Sequence, residues 1–216
     1  MNRHGLAVLL VCVAAPLSAQ HPVVKASAGI AFADYREQSK VLDFRGSGSA
    51  GRVDVTWRRW GLVAGVERIT FTPTDPDSPA QGFRAIETDV AVRYRPRRTL
   101  PAEVEVGAVR RTPTPKDGAQ ALRAFRIGAV AHFALGEGAE VDTRAAWLAG
   151  SKFSGGGSAG TAFTLQLRAA YRPLARFGWA WLVADYSFER FDRVTVVPVP
   201  LQGSSVRLAL EGRFTP

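Results

Sequence analysis

The sequence predicts an all-β fold, a single antiparallel up-and-down transmembrane β-barrel of ten strands, with eight as the alternative count. Three observations predict it. Beyond residue 20 apolar and polar residues alternate with period two, and no stretch sustains a 3.6-residue period. The breakers between these segments alternate between long and short, the rhythm of a meander trimmed at one end and elaborated at the other. The aromatic residues gather at two heights along the strands. Composition sets the frame. A chain of 216 residues, 46% hydrophobic and 22% charged, excludes disorder and collagen. One Cys and one Met argue against a disulfide scaffold or a thiol metal site. A mean hydropathy near zero fits no bundle of membrane helices. The net charge of +9 is almost wholly arginine, since only four of the cations are lysine.

The elements follow in order. Arg3 and His4 precede an apolar run over 6–17, and Ser18 and Ala19 supply small residues before Gln20, which reads as a signal peptide over 1–19 cleaved after Ala19. A run of about 12 residues is short of the roughly 20 that span a bilayer as a helix. Residues 20–216 form one barrel domain. Its strands are read at 23–35, 49–59, 61–72, 83–95, 101–111, 121–135, 139–150, 161–172, 178–190 and 204–214. Long loops fall near 36–48, 73–82, 112–120, 151–160 and 191–203, and short turns near 60, 96–100, 136–138 and 173–177.

One phase of every strand is uncharged, from Val24, Ala26, Ala28, Ile30 and Phe32 in the first to Val206, Leu208, Leu210, Gly212 and Phe214 in the last. The other phase carries ten acids and nine bases. In a soluble barrel the apolar face is the core; in a membrane barrel it meets lipid. The aromatics favour lipid. Trp57, Tyr94, Phe133, Tyr171 and Phe214 stand beside a short turn or the C-terminus, and Phe32, Phe71, Trp147 and Phe188 near the long loops, which makes two interfacial girdles. The nine residues from Ile86 to Tyr94, at about 3.3 Å each and about 40° of tilt, cover roughly 22 Å, the height of a barrel's apolar band.

With these features the chain resembles the small outer-membrane β-barrel proteins of double-membrane bacteria, over essentially all of its mature length. The last strand, Val206 to Phe214, looks like the aromatic-ended signal that this family's insertion machinery reads, although Thr215 and Pro216 follow where the family usually stops. The resemblance implies periplasmic short turns, external long loops, a monomer, and outer-membrane lipids, lipopolysaccharide and the assembly machinery as partners.

A barrel this narrow is filled by its own side chains. The expected lumen network comprises Lys25, Arg52, Asp54, Glu67, Glu87, Asp89, Arg93, Glu103, Glu105, Arg126, His132, Asp142, Arg144, Arg168, Asp185, Glu189, Arg207 and Glu211. Folding about the turns sets Arg93 opposite Glu103, His132 toward Asp142, and Glu211 close to Lys25. Paired charges make a polar plug tolerable. The alternative is a narrow path for ions or small solutes, with Gly29, Gly65, Gly107 and Gly128 leaving space. No catalytic, cofactor or metal residue is assigned. His132 lies at the short-turn end, away from where barrel enzymes keep their histidine, and the carboxylates of Glu87, Asp89, Glu103 and Glu105 have Arg93 beside them. The G-x-G-x-x-G match at 46–51 precedes a strand instead of opening a helix, and Asp75 and Asp77 read as a solvated turn. Arg58, Arg59, Arg95, Arg97, Arg98, Arg172 and Arg176 stand at the turns, suited to lipid phosphates. Without a base-stacking platform they make no case for nucleic acid. The expected role is non-enzymatic, in envelope integrity or surface interaction.

Overall fold

The computed structural model describes residues 21–37, 42–97, 99–116, 119–154, 158–174, 176–194 and 199–215. The signal peptide with its cleavage after Ala19, and Arg98, lie outside the described residues. Ten strands succeed one another: β1 (Val23–Glu37), β2 (Leu42–Trp57), β3 (Trp60–Pro73), β4 (Phe83–Tyr94), β5 (Ala102–Thr114), β6 (Leu122–Ala134), β7 (Ala139–Phe153), β8 (Ser158–Tyr171), β9 (Ala180–Val194) and β10 (Val199–Phe214). Each pairs antiparallel with its neighbours in the chain, and β1 pairs with β10 from Val24↔Phe214 to Glu37↔Leu201, so the sheet closes into a ten-stranded up-and-down barrel. Closure leaves no unpaired edge, which is what allows strands to cross lipid at all.

Most strands are longer than the period-two pattern indicates, β4 and β6 excepted, and they take up about half of what reads as long loop. β1 and β2 stay paired out to Glu37↔Leu42, so the stretch 42–48, which reads as loop, is strand, and the whole G-x-G-x-x-G match lies inside β2. The inward glycines there permit close packing. A Cβ on Gly48 would stand 1.8 Å from the Arg68 carbonyl oxygen. At the other end β2 and β3 meet in a two-residue hairpin, Trp57↔Trp60. Arg58 takes its first central position with φ 57°, a conformation usually left to glycine.

Two zones divide the barrel along its axis. In the zone toward the short turns, apolar side chains face outward and remain half exposed: Leu62 at 51%, Val106 at 59%, Leu210 at 67%. Charge is buried inside, with Glu105 1% exposed and Arg126 4%. A continuous belt of bare Val, Leu, Ile and aromatic side chains is what lipid covers, and the barrel is transmembrane. Beyond that belt the same strands invert. Ala31, Tyr35, Phe44, Ile69, Phe71, Phe83, Leu122, Leu148, Phe153, Phe191 and Leu201 form one buried apolar cluster inside the barrel, while Ser47, Thr70, Thr72, Arg84 and Arg123 are exposed outside. Each large side chain of that cluster contributes about 1.5–3 kcal/mol by leaving water.

This inversion corrects one member of the expected girdle. Phe71 is 6% exposed and stacks on Phe83 at 4.8 Å inside the barrel. It shares the inward phase of Glu67 and Ile69, while Arg68, Thr70 and Thr72 take the outer face. Trp57, Tyr94, Phe133, Tyr171, Phe214, Phe32, Trp147 and Phe188 all lie on the outward phase, none fully buried. Trp60 at 53% and Phe125 at 65% exposure join them.

Candidate functional site

The site is the lumen of the membrane zone. All eighteen of the expected lumen residues sit on the inward phase of their strands. Glu105 on β5 is the hub. Its carboxylate accepts a hydrogen bond from Arg93 Nε at 2.8 Å and makes ion pairs with Arg126 at 2.7 Å and Arg144 at 3.3 Å. The arginines extend the lattice across the barrel, Arg93 to Asp54 at 3.1 Å and Arg126 to Asp89 at 3.0 Å. Arg52 stands 3.9 Å from Asp54. Asp185 accepts from Gln166 Nε2 at 3.2 Å. Fully buried ion pairs offset their desolvation only when geometry and further hydrogen bonds are good. At Glu105 the Arg93 contact is hydrogen-bonded, while Arg126 and Arg144 stand at ion-pair distance without a hydrogen bond from Arg126 Nε or Arg144 Nη2.

Several expected pairings take different partners. Arg93 stands opposite Glu105, because the β4–β5 register runs Arg93↔Glu105, while Glu103 pairs with Arg95 at 2.7 Å. The connection between the strands is centred one residue later than the sequence reading placed it, and each partner moves by two. Lys25 lies opposite Arg213 in the closing pair and reaches Glu140 at 3.3 Å, while Glu211 is held by Arg168 and by Arg213 Nε at 2.8 Å. His132 and Asp142 do meet, at 2.8 Å through Nδ1, and Nε2 of the same ring stands 3.3 Å from Glu103. A carboxylate therefore stands at each nitrogen of His132, hydrogen-bonded at Nδ1 and at ion-pair distance from Nε2. Glu67 and Arg207 line one void with no ion-pair partner within 4.0 Å among the described residues.

Three network members were missed, Arg95, Arg111 and Glu140, and Arg213, one of the nine bases counted on the charged phase, belongs to the network as well. Arg111 bonds Glu87 through Nε at 2.9 Å and also holds Glu189 at the boundary with the apolar zone. Arg213 Nη1 donates to Glu140 at 2.9 Å and its guanidinium carbon lies 3.5 Å from the Trp181 ring centre. Arg95, Arg111 and Glu140 fall on the inward phase within the ranges read as strands, 83–95, 101–111 and 139–150, so the signal was present in the alternation. Arg95 thereby leaves the set of rim arginines expected to face lipid phosphates. Of the others, Arg59 and Arg172 donate to the carbonyls of Pro96 and Glu137 across the turns, and Arg58 and Arg176 lie over Trp57 and Phe177 at 4.7 and 4.9 Å.

The glycines do not open a path. A Cβ at Gly29, Gly107 or Gly128 would fall 2.0, 2.3 or 2.4 Å from a backbone oxygen of the adjacent strand, and one at Gly65 would stand 2.2 Å from Asp89 Oδ1. Their missing side chains are filled by neighbouring chain. The spaces among the described residues include a void of about 60 Å³ within the lattice, another of about 60 Å³ beneath the apolar cluster, and a vestibule of about 480 Å³ at the short-turn mouth lined by Arg93, His132, Glu140 and Arg168.

No family model matches the chain, and no curated protein does. Solved structures similar to it include the translocator domain of autotransporter NalP from Neisseria meningitidis, 14% identical over 91% of this chain and 90% of that one, with a TM-score of 0.45. Ail, the attachment invasion locus protein of Yersinia pestis, is 11% identical over 90% and 100%, with a TM-score of 0.41. An outer membrane channel from Pseudomonas putida F1 is 11% identical over 92% and 97%, with a TM-score of 0.46. The ladder of paired strands, not these likenesses, defines the fold here.

Proposed function

We propose that this chain is an outer-membrane barrel with a closed lumen, non-enzymatic, serving envelope integrity or surface interaction through the part of the barrel that stands above the lipid. The observation that carries this is the apolar cluster of Tyr35, Phe44, Phe71, Phe83, Phe153 and Phe191 stacked over the charge lattice. An ion crossing the lumen would have to leave paired charges and enter a hydrocarbon plug, which costs several kcal/mol. A barrel sealed in this way presents a rigid stem to the membrane and a water-facing ribbed head to the outside. Planar-bilayer recording of refolded protein tests it. The expected trace is flat at physiological salt, and reproducible unitary currents would return the narrow-channel reading, which the open vestibule of about 480 Å³ at the short-turn end favours.

A further inference from the structure

Arg110 on β5, Arg123 on β6 and Lys152 on β7 occupy one row of the sheet: Arg110 pairs with Arg123 and Arg123 with Lys152 in register. All three are exposed on the outer wall. Residues directly opposite in an antiparallel ladder stand about 5 Å apart, where like charges repel. None of the three has an ion-pair partner among the described residues, and Arg84 on β4 adds to the same basic wall. On the far wall Arg36 is neutralised by Asp43 at 3.2 Å, Arg45 by Asp34 at 3.3 Å and Arg190 by Asp192 at 3.0 Å, while Arg68 on β3 stands alone on its strand without an ion pair among the described residues.

The row depends on a local irregularity. The β6–β7 register shifts between Arg123 and Phe125, and Gly150 has φ 60°, so β7 carries one extra residue at this point. Ser151 turns inward, 4% exposed, and bonds the Leu148 carbonyl at 2.9 Å. Without the bulge Lys152 would take the inward phase, in the apolar cluster. The row also sits at the upper edge of the lipid belt, directly above Ala108 and Phe125. Beneath it runs an apolar groove of about 500 Å³, walled by Val90, Ala108 and Phe125 with Gly150 at its top.

We infer that this face of β5–β7 binds an anionic, multiply phosphorylated lipid of the outer leaflet, its phosphate across Arg110, Arg123 and Lys152 and an acyl chain in the groove. Charge complementarity selects the phosphate, since arginine grips it through paired N–H groups. The position of the cations, at the belt's edge with a hydrocarbon groove below them, selects a lipid over a free anion. The inference rests on the membrane reading proposed above with the short turns inward.

The probe is bis-phosphorylated lipid A added to the refolded full chain in neutral detergent, with bound lipid counted by native mass spectrometry. The unaltered protein retains one molecule, and phosphatidylcholine is not retained. The triple variant Arg110→Gln, Arg123→Gln, Lys152→Gln loses at least about tenfold in affinity. Arg36→Gln, Arg45→Gln, Arg190→Gln removes the same charge from the far wall and stays within about twofold of the unaltered protein. Equal binding by the first triple variant, or equal loss in both, overturns the site. Displacement by millimolar inorganic phosphate, or equal affinity for the deacylated headgroup, also overturns it in favour of a free-anion site. If the triple variant fails to refold, Lys152→Glu alone serves, with a loss of several-fold expected and no loss contradictory. Heat-dependent gel mobility is read on every protein first. Its absence from the unaltered chain would defeat the barrel reading itself, an outcome distinct from a folded barrel that ignores lipid A.

Discussion

Below the level of Glu67, Glu87 and Glu189 the ten strands turn apolar side chains outward and bury charge; above it the same strands bury Phe44, Phe83 and Phe191 and turn Thr70, Arg84 and Arg123 to the outside. Between β1 and β2 the ladder runs through this boundary in register, from Lys25↔Asp54 in the lower zone to Tyr35↔Phe44 in the upper, so the inversion there needs no change of pairing. The β6–β7 and β8–β9 ladders shift register by a residue on the way up. A closed sheet has two faces, and the apolar one is assigned by whatever lies outside: lipid in the lower zone, water in the upper. The upper zone is therefore built like a small soluble barrel, held by hydrophobic burial, and the lower like a porin wall with its pore filled by ion pairs.

The largest effects come from breaking the interior of each zone by its own logic. Glu105→Gln leaves Arg93, Arg126 and Arg144 around a neutral amide and is expected to destabilise the folded barrel by about 3–5 kcal/mol. Adding Arg144→Gln recovers part of that loss, because it removes one of the uncompensated charges. Phe191→Ala, at 0% exposure in the upper zone, costs about 3–5 kcal/mol through transfer and cavity terms, and no second charge change rescues it. Denaturant unfolding of refolded protein in lipid vesicles measures all three. A Glu105→Gln barrel as stable as the parent would mean that the lattice is incidental.

Smaller effects separate the outer faces. Ala129→Arg, on the outward phase midway between Phe125 and Phe133, puts a cation in mid-belt and costs about 2–4 kcal/mol in the same assay, falling toward nothing in a soluble protein. Thr70→Arg makes the same chemical change above the belt and stays within about 0.5 kcal/mol. Equal costs at the two positions would erase the distinction between the zones.

Much of the lower zone was legible in the alternation of residues. Charged and uncharged phases fix inside and outside wherever the two solvents differ strongly, and strands such as Phe83–Tyr94 declare both at once. The upper zone was not, because its inversion looks like the end of a strand: Ile69 and Phe71 take the phase that Glu67 and Gly65 hold lower down, and Gly46, Ser47 and Gly48 read as a loop where they are strand. The partner of each lattice charge was legible only to within a turn. Arg93 faces Glu105 and not Glu103 because turn geometry, which composition around residues 95–101 underdetermines, sets the register. The bulge at Gly150 had no signal beyond the glycine itself, yet it decides which way Lys152 points.

The central claim is that one set of strands meets lipid below and water above, and single-cysteine labelling tests it most directly. The sequence has one Cys, Cys12, within the segment read as a signal peptide, so a chain lacking that segment offers a silent background. Ile127→Cys and Thr70→Cys are each refolded into vesicles and exposed to a membrane-impermeant maleimide. The account predicts that Thr70→Cys labels at the rate of a free thiol and that Ile127→Cys, 53% exposed in the bare barrel for its parent side chain, labels only after detergent is added. Rapid labelling of both in intact vesicles would contradict it.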